Sequence, residues 1–331
     1  MRQATALLIS LPLLLLIAMY APTFGQSASD EQILKVRTEL VNVDALARNK
    51  ETGRIISNLS KDDFTIFEDG VKQNISHFSQ ARLPLSIILL VDRAGCINAF
   101  NDQIRAATVN AFSQLMAEDE VAIMTFSSKV SLTQPFTRDH QLITDKIMAV
   151  ERQHRSEQHY FNAGMYEAAT YMSKAANPIG RRAIIVLTSL EASIDFSKIS
   201  EKEALHAVLE SGAVVSGVLV KTVGGHIEQG IRGKPTSLLR HIGLRSGSLK
   251  MFVEETGGEL VSAAPESMNE TIIRMVNQIA ESYSLAYLPT NSTRDGKRRR
   301  IRVLLSPEVE KREGKTVLIT RRSYIVPKDI N

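Results

Sequence analysis

Leu85-Ser86-Ile87-Ile88-Leu89-Leu90-Val91-Asp92-Arg93-Ala94-Gly95-Cys96 decides the fold. An apolar run rich in branched residues stops on an aspartate and a loop of small residues. Such a run reads as a strand buried on both faces, as in a parallel sheet. The aspartate then stands beyond the carboxyl end of a strand, where open α/β sheets bind ligands.

The pattern repeats downstream. Buried strands are expected at 121–126, 182–189 and 213–220, with a short one at 259–261 and a short edge strand at 130–132. Helical spacing is expected near 98–117, 140–150, 161–176, 202–209, 249–255 and 267–279, and Gly257-Gly258 is suited to end the fifth of these. Strands alternating with helices over 83–282 predict an α/β domain with a doubly wound, mostly parallel, Rossmann-like sheet.

The flanks read differently. The segment 31–82 carries strand-like runs around Val36 to Val43 and Phe64 to Phe67, with a hairpin turn at Asp69-Gly70. The segment 283–327 carries strand-like runs at 283–288, 299–305 and 316–325. Each is too short to bury a core alone. They are expected to pack together as one β-sandwich of about seven strands with the α/β domain inserted. Two separate β appendages are the alternative.

Composition bounds the function. The chain has 331 residues, 44% hydrophobic and 23% charged, with a net charge of +4. That balance does not argue for nucleic acid. Arg2 followed by an apolar core to Met19 and small residues to Gly25 has the plan of a signal peptide over 1–25. The expected destination is secreted or periplasmic, with no integral span after cleavage; an uncleaved anchor is the alternative. Cys96 is the single cysteine, so the fold rests on its core rather than a disulfide.

Candidate chemistry is sparse. The seven histidines show no metal spacing, and His154 and His159 read as solvated loop residues. No metalloprotease helix, nucleophile elbow or paired-carboxylate signature appears, so no catalytic residues are named. The run Lys297-Arg298-Arg299-Arg300-Ile301-Arg302 reads as a solvated strand face beside a turn. The glycine-rich stretch 224–247 reads as a surface loop.

The middle of the chain resembles a von Willebrand factor type A domain. The resemblance rests on the apolar strand ending in Asp92, the following order of helices and strands, and Thr256-Gly257-Gly258. The flanks, with Leu59-Ser60-Lys61-Asp62-Asp63-Phe64 and Tyr283-Ser284-Leu285-Ala286-Tyr287-Leu288-Pro289, resemble exported VWFA-related proteins of Acidobacteria. Type A domains often hold Mg²⁺ at the top of the sheet. Their ligands follow an Asp-x-Ser-x-Ser motif, with a threonine on a second loop and an aspartate on a third. Matched to that pattern, Asp92 is kept, and Ala94 and Cys96 replace the serines. Ala163, next to Asn162, replaces the threonine, and Ser189 replaces the aspartate. Hard oxygen donors are what Mg²⁺ requires, so the cation site is expected to be lost and no cofactor is expected. A rearranged site using Asp92, Ser189 and Glu191, as in a metal-dependent adhesin, is a lesser alternative.

The resemblance implies a non-enzymatic interaction module that binds a protein partner through the top face without a divalent cation. The loops around Asp92, 161–166 and 189–195 are its expected surface. A structural or assembly subunit of a cell-envelope complex, held through its sandwich edges, is the alternative.

Overall fold

A computed structural model describes residues 40–93, 102–150, 158–178, 180–189, 192–195, 197–220 and 245–328. The expected signal peptide, Ala94, Cys96, His154, Glu191 and most of the glycine-rich stretch lie outside the described residues.

The chain begins with β1 (Val41–Asn49), β2 (Phe64–Glu68), β3 (Val71–Gln73) and β4 (Ile75–Ser79). Asp69 and Gly70 join β2 to β3 with φ of 46° and 88°. Asp and Gly tolerate that left-handed turn, which matches the twist of a hairpin.

Then come β5 (Leu85–Asp92), α1 (Asp102–Phe112), β6 (Glu120–Phe126), β7 (Val130–Thr137), α2 (His140–Met148) and α3 (Phe161–Tyr171). They are followed by β8 (Arg181–Thr188), β9 (Ala192–Asp195), α4 (Glu201–Ser211), β10 (Val214–Val220) and β11 (Arg245–Ser248). The α/β part closes with α5 (Leu249–Thr256), β12 (Leu260–Ala263) and α6 (Met268–Ala280).

Six strands form one sheet in the order β12-β10-β8-β5-β6-β7, parallel except for β7 at the edge. Every residue of β5 is buried. Alternate side chains leave a strand on opposite faces, and β5 feeds two cores this way. Leu85, Ile87, Leu89 and Val91 pack with α1, α2 and α6, while Ile88 and Leu90 pack with α3, α4 and α5. Trimming one such residue, as in Leu89→Ala, costs about 2–5 kcal/mol. The α/β sheet thus has the expected class, and β7 is longer than the 130–132 edge strand expected.

The chain ends with β13 (Tyr283–Tyr287), β14 (Arg298–Leu305), α7 (Pro307–Glu313), β15 (Thr316–Thr320) and β16 (Ser323–Ile325). Two four-stranded sheets result, β15-β1-β13-β4 and β16-β14-β2-β3. Each draws two strands from either end of the chain, and Val43, Ile66, Tyr283, Leu285, Ile301 and Val303 share one core between them. Antiparallel sheets from the two flanks therefore enclose a common core, as the fold class requires.

Three local expectations are corrected. The expected strand 316–325 is two strands that change sheets at Arg321 and Arg322. Residues 307–313 form a helix, signalled by Pro307 in the first turn, acidic Glu308 and Glu310 early, basic Lys311 and Arg312 late, and Gly314 at its end. The run 297–302 is only half solvated. Arg298, Arg300 and Arg302 face outward, but Arg299 is buried and donates to Glu68 Oε1 at 2.9 Å. Glu68 Oε2 also accepts from the hydroxyls of Tyr287 at 2.7 Å and Tyr324 at 2.8 Å.

The insertion is tied to the sandwich by a buried arginine and one glycine. Arg181 donates to Asp44 Oδ1 (3.0 Å), to the carbonyls of Ala280 (2.5 Å) and Ser282, and to Ser284 Oγ (2.8 Å). Gly257 has φ of 78°, and a Cβ there would stand 2.3 Å from the Thr320 carbonyl carbon. Only glycine lets the end of α5 lie against the end of β15. Among the described residues no helix is long and apolar enough to cross a membrane.

Candidate functional site

The carboxyl ends of β5 and β8 lie side by side, because Val91 is in register with Leu187. That register brings Asp92 and Thr188 together at the top of the sheet. Asp92 is only 2% exposed, and its Oδ2 accepts the Thr188 hydroxyl at 2.8 Å. The same oxygen stands 3.1 Å from Nδ1 of His159, which is 6% exposed. A carboxylate oxygen accepts, so Nδ1 carries the hydrogen of this bond.

His159 reaches Asp92 because its segment is pinned on both sides. Tyr160 N–H donates to the Ser127 carbonyl at 2.8 Å, beyond the end of β6. His159 also forms a parallel bridge with Asp195 of β9. Asp195 is buried, and its Oδ2 accepts the Asn162 N–H at 2.6 Å while its Oδ1 accepts the Ser197 N–H at 2.8 Å. The residue before α3, Tyr160, supplies no side-chain cap. Asp195 supplies one from another strand, and its negative charge suits the amino end of a helix. Residues 159–162 are thus clamped between two buried aspartates.

The neighbouring positions follow. Asn162 is fully buried, and its Nδ2 donates to the Ile199 carbonyl at 3.3 Å. Ala163, in the first turn of α3, is buried and offers only a methyl group. Ser189 is buried just past β8, and its hydroxyl oxygen has no hydrogen-bond partner among the described residues. Gly247 of β11 passes so close to α3 that a Cβ would meet Phe161 Cδ1 at 2.7 Å. The β9–β11 pair, joined antiparallel, therefore lies directly against the helix start. Ala94, Cys96 and Glu191 are outside the described residues.

Asp92, Asn162, Ala163 and Ser189 gather at the sheet top, as the sequence pattern placed them. Two residues were missed, His159 and Thr188, and Asp195 was included only as part of the expected 189–195 loop, not as the helix clamp it is. The reading of His159 as a solvated loop histidine is corrected, since it is buried against Asp92. Thr188 was legible from the register of two parallel strands that end together. For His159 the available signal was its position two residues ahead of a helix that starts at the sheet top. The capping role of Asp195 carried no signal, because it depends on contacts distant in sequence.

Among the described residues, no group of three or more His, Cys, Asp or Glu side chains could hold a metal ion. At these positions a methyl stands at 163 and a hydroxyl at 189, and an imidazole nitrogen lies on Asp92.

Residues 87–191 match the family model of the von Willebrand factor type A domain. Similar solved structures include proximal thread matrix protein 1 from the mussel byssus, at 12% identity over 61% of this chain and 49% of that one, with a TM-score of 0.46. The conserved hypothetical protein BatB from Bacteroides thetaiotaomicron is similar at 16% identity over 60% of this chain and all (100%) of that one, with a TM-score of 0.42. The VWA domain of SpRpn10 is similar at 17% identity over 60% of this chain and 97% of that one, with a TM-score of 0.39. The chain spans about half the length of the mussel protein. No curated protein matches it. The α/β part has the type A fold, with a mostly parallel sheet and antiparallel sheets flanking it.

Proposed function

We propose that this chain is an exported, non-enzymatic interaction module whose type A domain binds a protein partner through its top face without a divalent cation. One observation carries the reading. Asp92 Oδ2 is held by the Thr188 hydroxyl and the His159 imidazole, both buried. A hydrogen-bonded imidazole does locally what a cation does elsewhere: it satisfies the aspartate and fixes the segment leading into α3. The top face is then preformed by side-chain hydrogen bonds, with the clamp of Asp195 on Asn162 as its second fixture.

The test is thermal unfolding of the full chain with millimolar Mg²⁺, Mn²⁺ or Ca²⁺ against EDTA. A ligand that binds only the folded state raises its stability by mass action. The expected result is one Tm in all four conditions. A saturable rise with any of the cations, lost in Asp92→Ala, overturns the reading and supports a rearranged metal site using Asp92 and Ser189.

The Asp92–His159 pair also favours a second reading, a hydrolase, because an aspartate holding Nδ1–H orients a histidine as a general base. Hydrolysis of activated esters that His159→Ala abolishes would select that reading over the interaction module.

A further inference from the structure

The joint between the inserted α/β part and the sandwich holds a partly open cavity of about 30 Å³. Its lining includes Asp44 of β1, Arg181 of β8, Ser216 of β10, Glu259, and Gln278 of α6. Two acceptors on this lining have no hydrogen-bond partner among the described residues. One is Oε1 of Gln278, a residue 4% exposed, and the other is Oε2 of Glu259. The second oxygen of Glu259 is engaged, accepting from Arg48 Nη1 at 2.5 Å.

The donors at hand point elsewhere. Arg181 Nε is held by Asp44, and its two terminal nitrogens are held by backbone carbonyls and Ser284. Ser216 Oγ accepts the Glu259 N–H at 3.3 Å. Buried acceptors in native proteins are almost always satisfied by protein or by an enclosed small molecule. A water-sized occupant needs only about 10–15 Å³ of such space. The two carboxylates of the lining are each paired with an arginine, Asp44 with Arg181 and Glu259 with Arg48. An anion would meet two bare acceptors, and an apolar molecule would leave both acceptors unanswered.

We infer that this cavity is a binding site for one small donor-bearing or cationic occupant, a water molecule or a monovalent cation such as K⁺ or NH₄⁺, which serves Gln278 Oε1 and Glu259 Oε2. Its position gives it a role. Glu259 reaches β1 through Arg48, and it stands two residues after Gly257, which meets the end of β15. Gln278 lies on α6, which leads directly into β13. The occupant therefore bridges α6 and the residue before β12 within the insertion, on the side that meets the sandwich through Arg48, and the inference stands whatever binds the top face.

The experiment is a high-resolution crystal structure of the full chain, with unfolding in KCl, NH₄Cl, NaCl and choline chloride at equal ionic strength. The expected result is one density peak within hydrogen-bonding distance of both acceptors. Equal Tm in all four salts then assigns water. A saturable rise of a few degrees in K⁺ or NH₄⁺, absent in Gln278→Met, assigns the cation. A dry cavity overturns the inference. Gln278→Met serves as a second readout without crystals, since it keeps the side chain's length and deletes the acceptor. A satisfied acceptor gives a lower Tm on its removal. An unchanged or raised Tm means the acceptor was an orphan and rejects the site.

Discussion

Two buried carboxylates, Glu68 in the sandwich and Asp92 at the sheet top, show how one kind of group serves two ends. Glu68 takes hydrogen bonds from Arg299, Tyr287 and Tyr324, on three different strands. All of those strands come from the C-terminal end of the chain, while Glu68 comes from the N-terminal end. Its node is a clasp that closes the sandwich around the insertion. Asp92 takes its partners from β8 and from the segment before α3, at the one edge of a parallel sheet where loops converge. A carboxylate deep in a shared core fixes register and presents nothing outward, whereas one at a strand's carboxyl end fixes the loops that form a surface. Position in the topology, more than burial, separates clasp from site.

Titration of the clasp should have the largest effect. Burial and the Glu68 carboxylate hold the Tyr287 and Tyr324 hydroxyls above the ordinary tyrosine value. A raised folded value means stability that is complete below the unfolded value, near 10, and is lost as pH rises beyond it. The protein should therefore lose stability steeply in alkaline urea melts. The double variant Tyr287→Phe/Tyr324→Phe should start less stable and show a flatter slope; an unchanged slope would mean that other groups drive the loss.

Next in size is Arg299→Met. It leaves Glu68 as a buried charge without its cation, which costs about 3–5 kcal/mol. Equilibrium unfolding in urea measures it. A cost below about 1 kcal/mol, the range of exposed pairs, would show that the clasp is wetter than its geometry.

At the top face the expected costs are smaller. His159→Ala removes one donor to the buried Asp92 and should cost about 1–3 kcal/mol. Asp195→Asn replaces one of two accepting oxygens by an NH₂ that faces a backbone N–H, with a loss in the same range. The pair sharpens the comparison when hydrogen exchange is read alongside. Both variants should speed exchange at the start of α3 and leave the sandwich core protected, whereas Arg299→Met should do the reverse. Exchange rising everywhere in both cases would make the two nodes one cooperative unit.

How much of this was legible follows from the range of the interactions. Parallel strands buried on both faces announce themselves as apolar runs, so β5, β6, β8 and β10 stood out, and with them the sheet and the place of Asp92. The sandwich was inferable because neither flank could bury a core alone. The switch of strand between β15 and β16 was not, since 316–325 has no proline or glycine to mark it and the break is imposed by packing against Gly257 and the Glu255 carbonyl. Arg299 was hidden inside a run of like charges, where only the period of two tells the inward residue from its neighbours. His159 was hidden for a different reason: it ends a run of polar residues, 154–159, that has no period, and its partner lies 67 positions away.

The smallest effect on stability is expected where the effect on binding should be greatest. Tyr166 stands on the second turn of α3, 38% exposed, after the clamped segment. Tyrosine on a rigid element loses little freedom on contact and is enriched where interfaces concentrate their energy. Tyr166→Ala should leave unfolding within about 0.5 kcal/mol of the parent. Retention of a cross-linked envelope partner should nonetheless fall about tenfold, equivalent to about 1.4 kcal/mol, and equally with or without EDTA. The matched control lies on the sandwich, where Val71 and Leu304 are exposed apolar residues on β3 and β14. Val71→Glu/Leu304→Glu should leave retention unchanged. If that pair abolishes retention while Tyr166→Ala spares it, the partner is held by the sandwich edge. The chain is then an assembly subunit whose type A top face is no longer its contact surface.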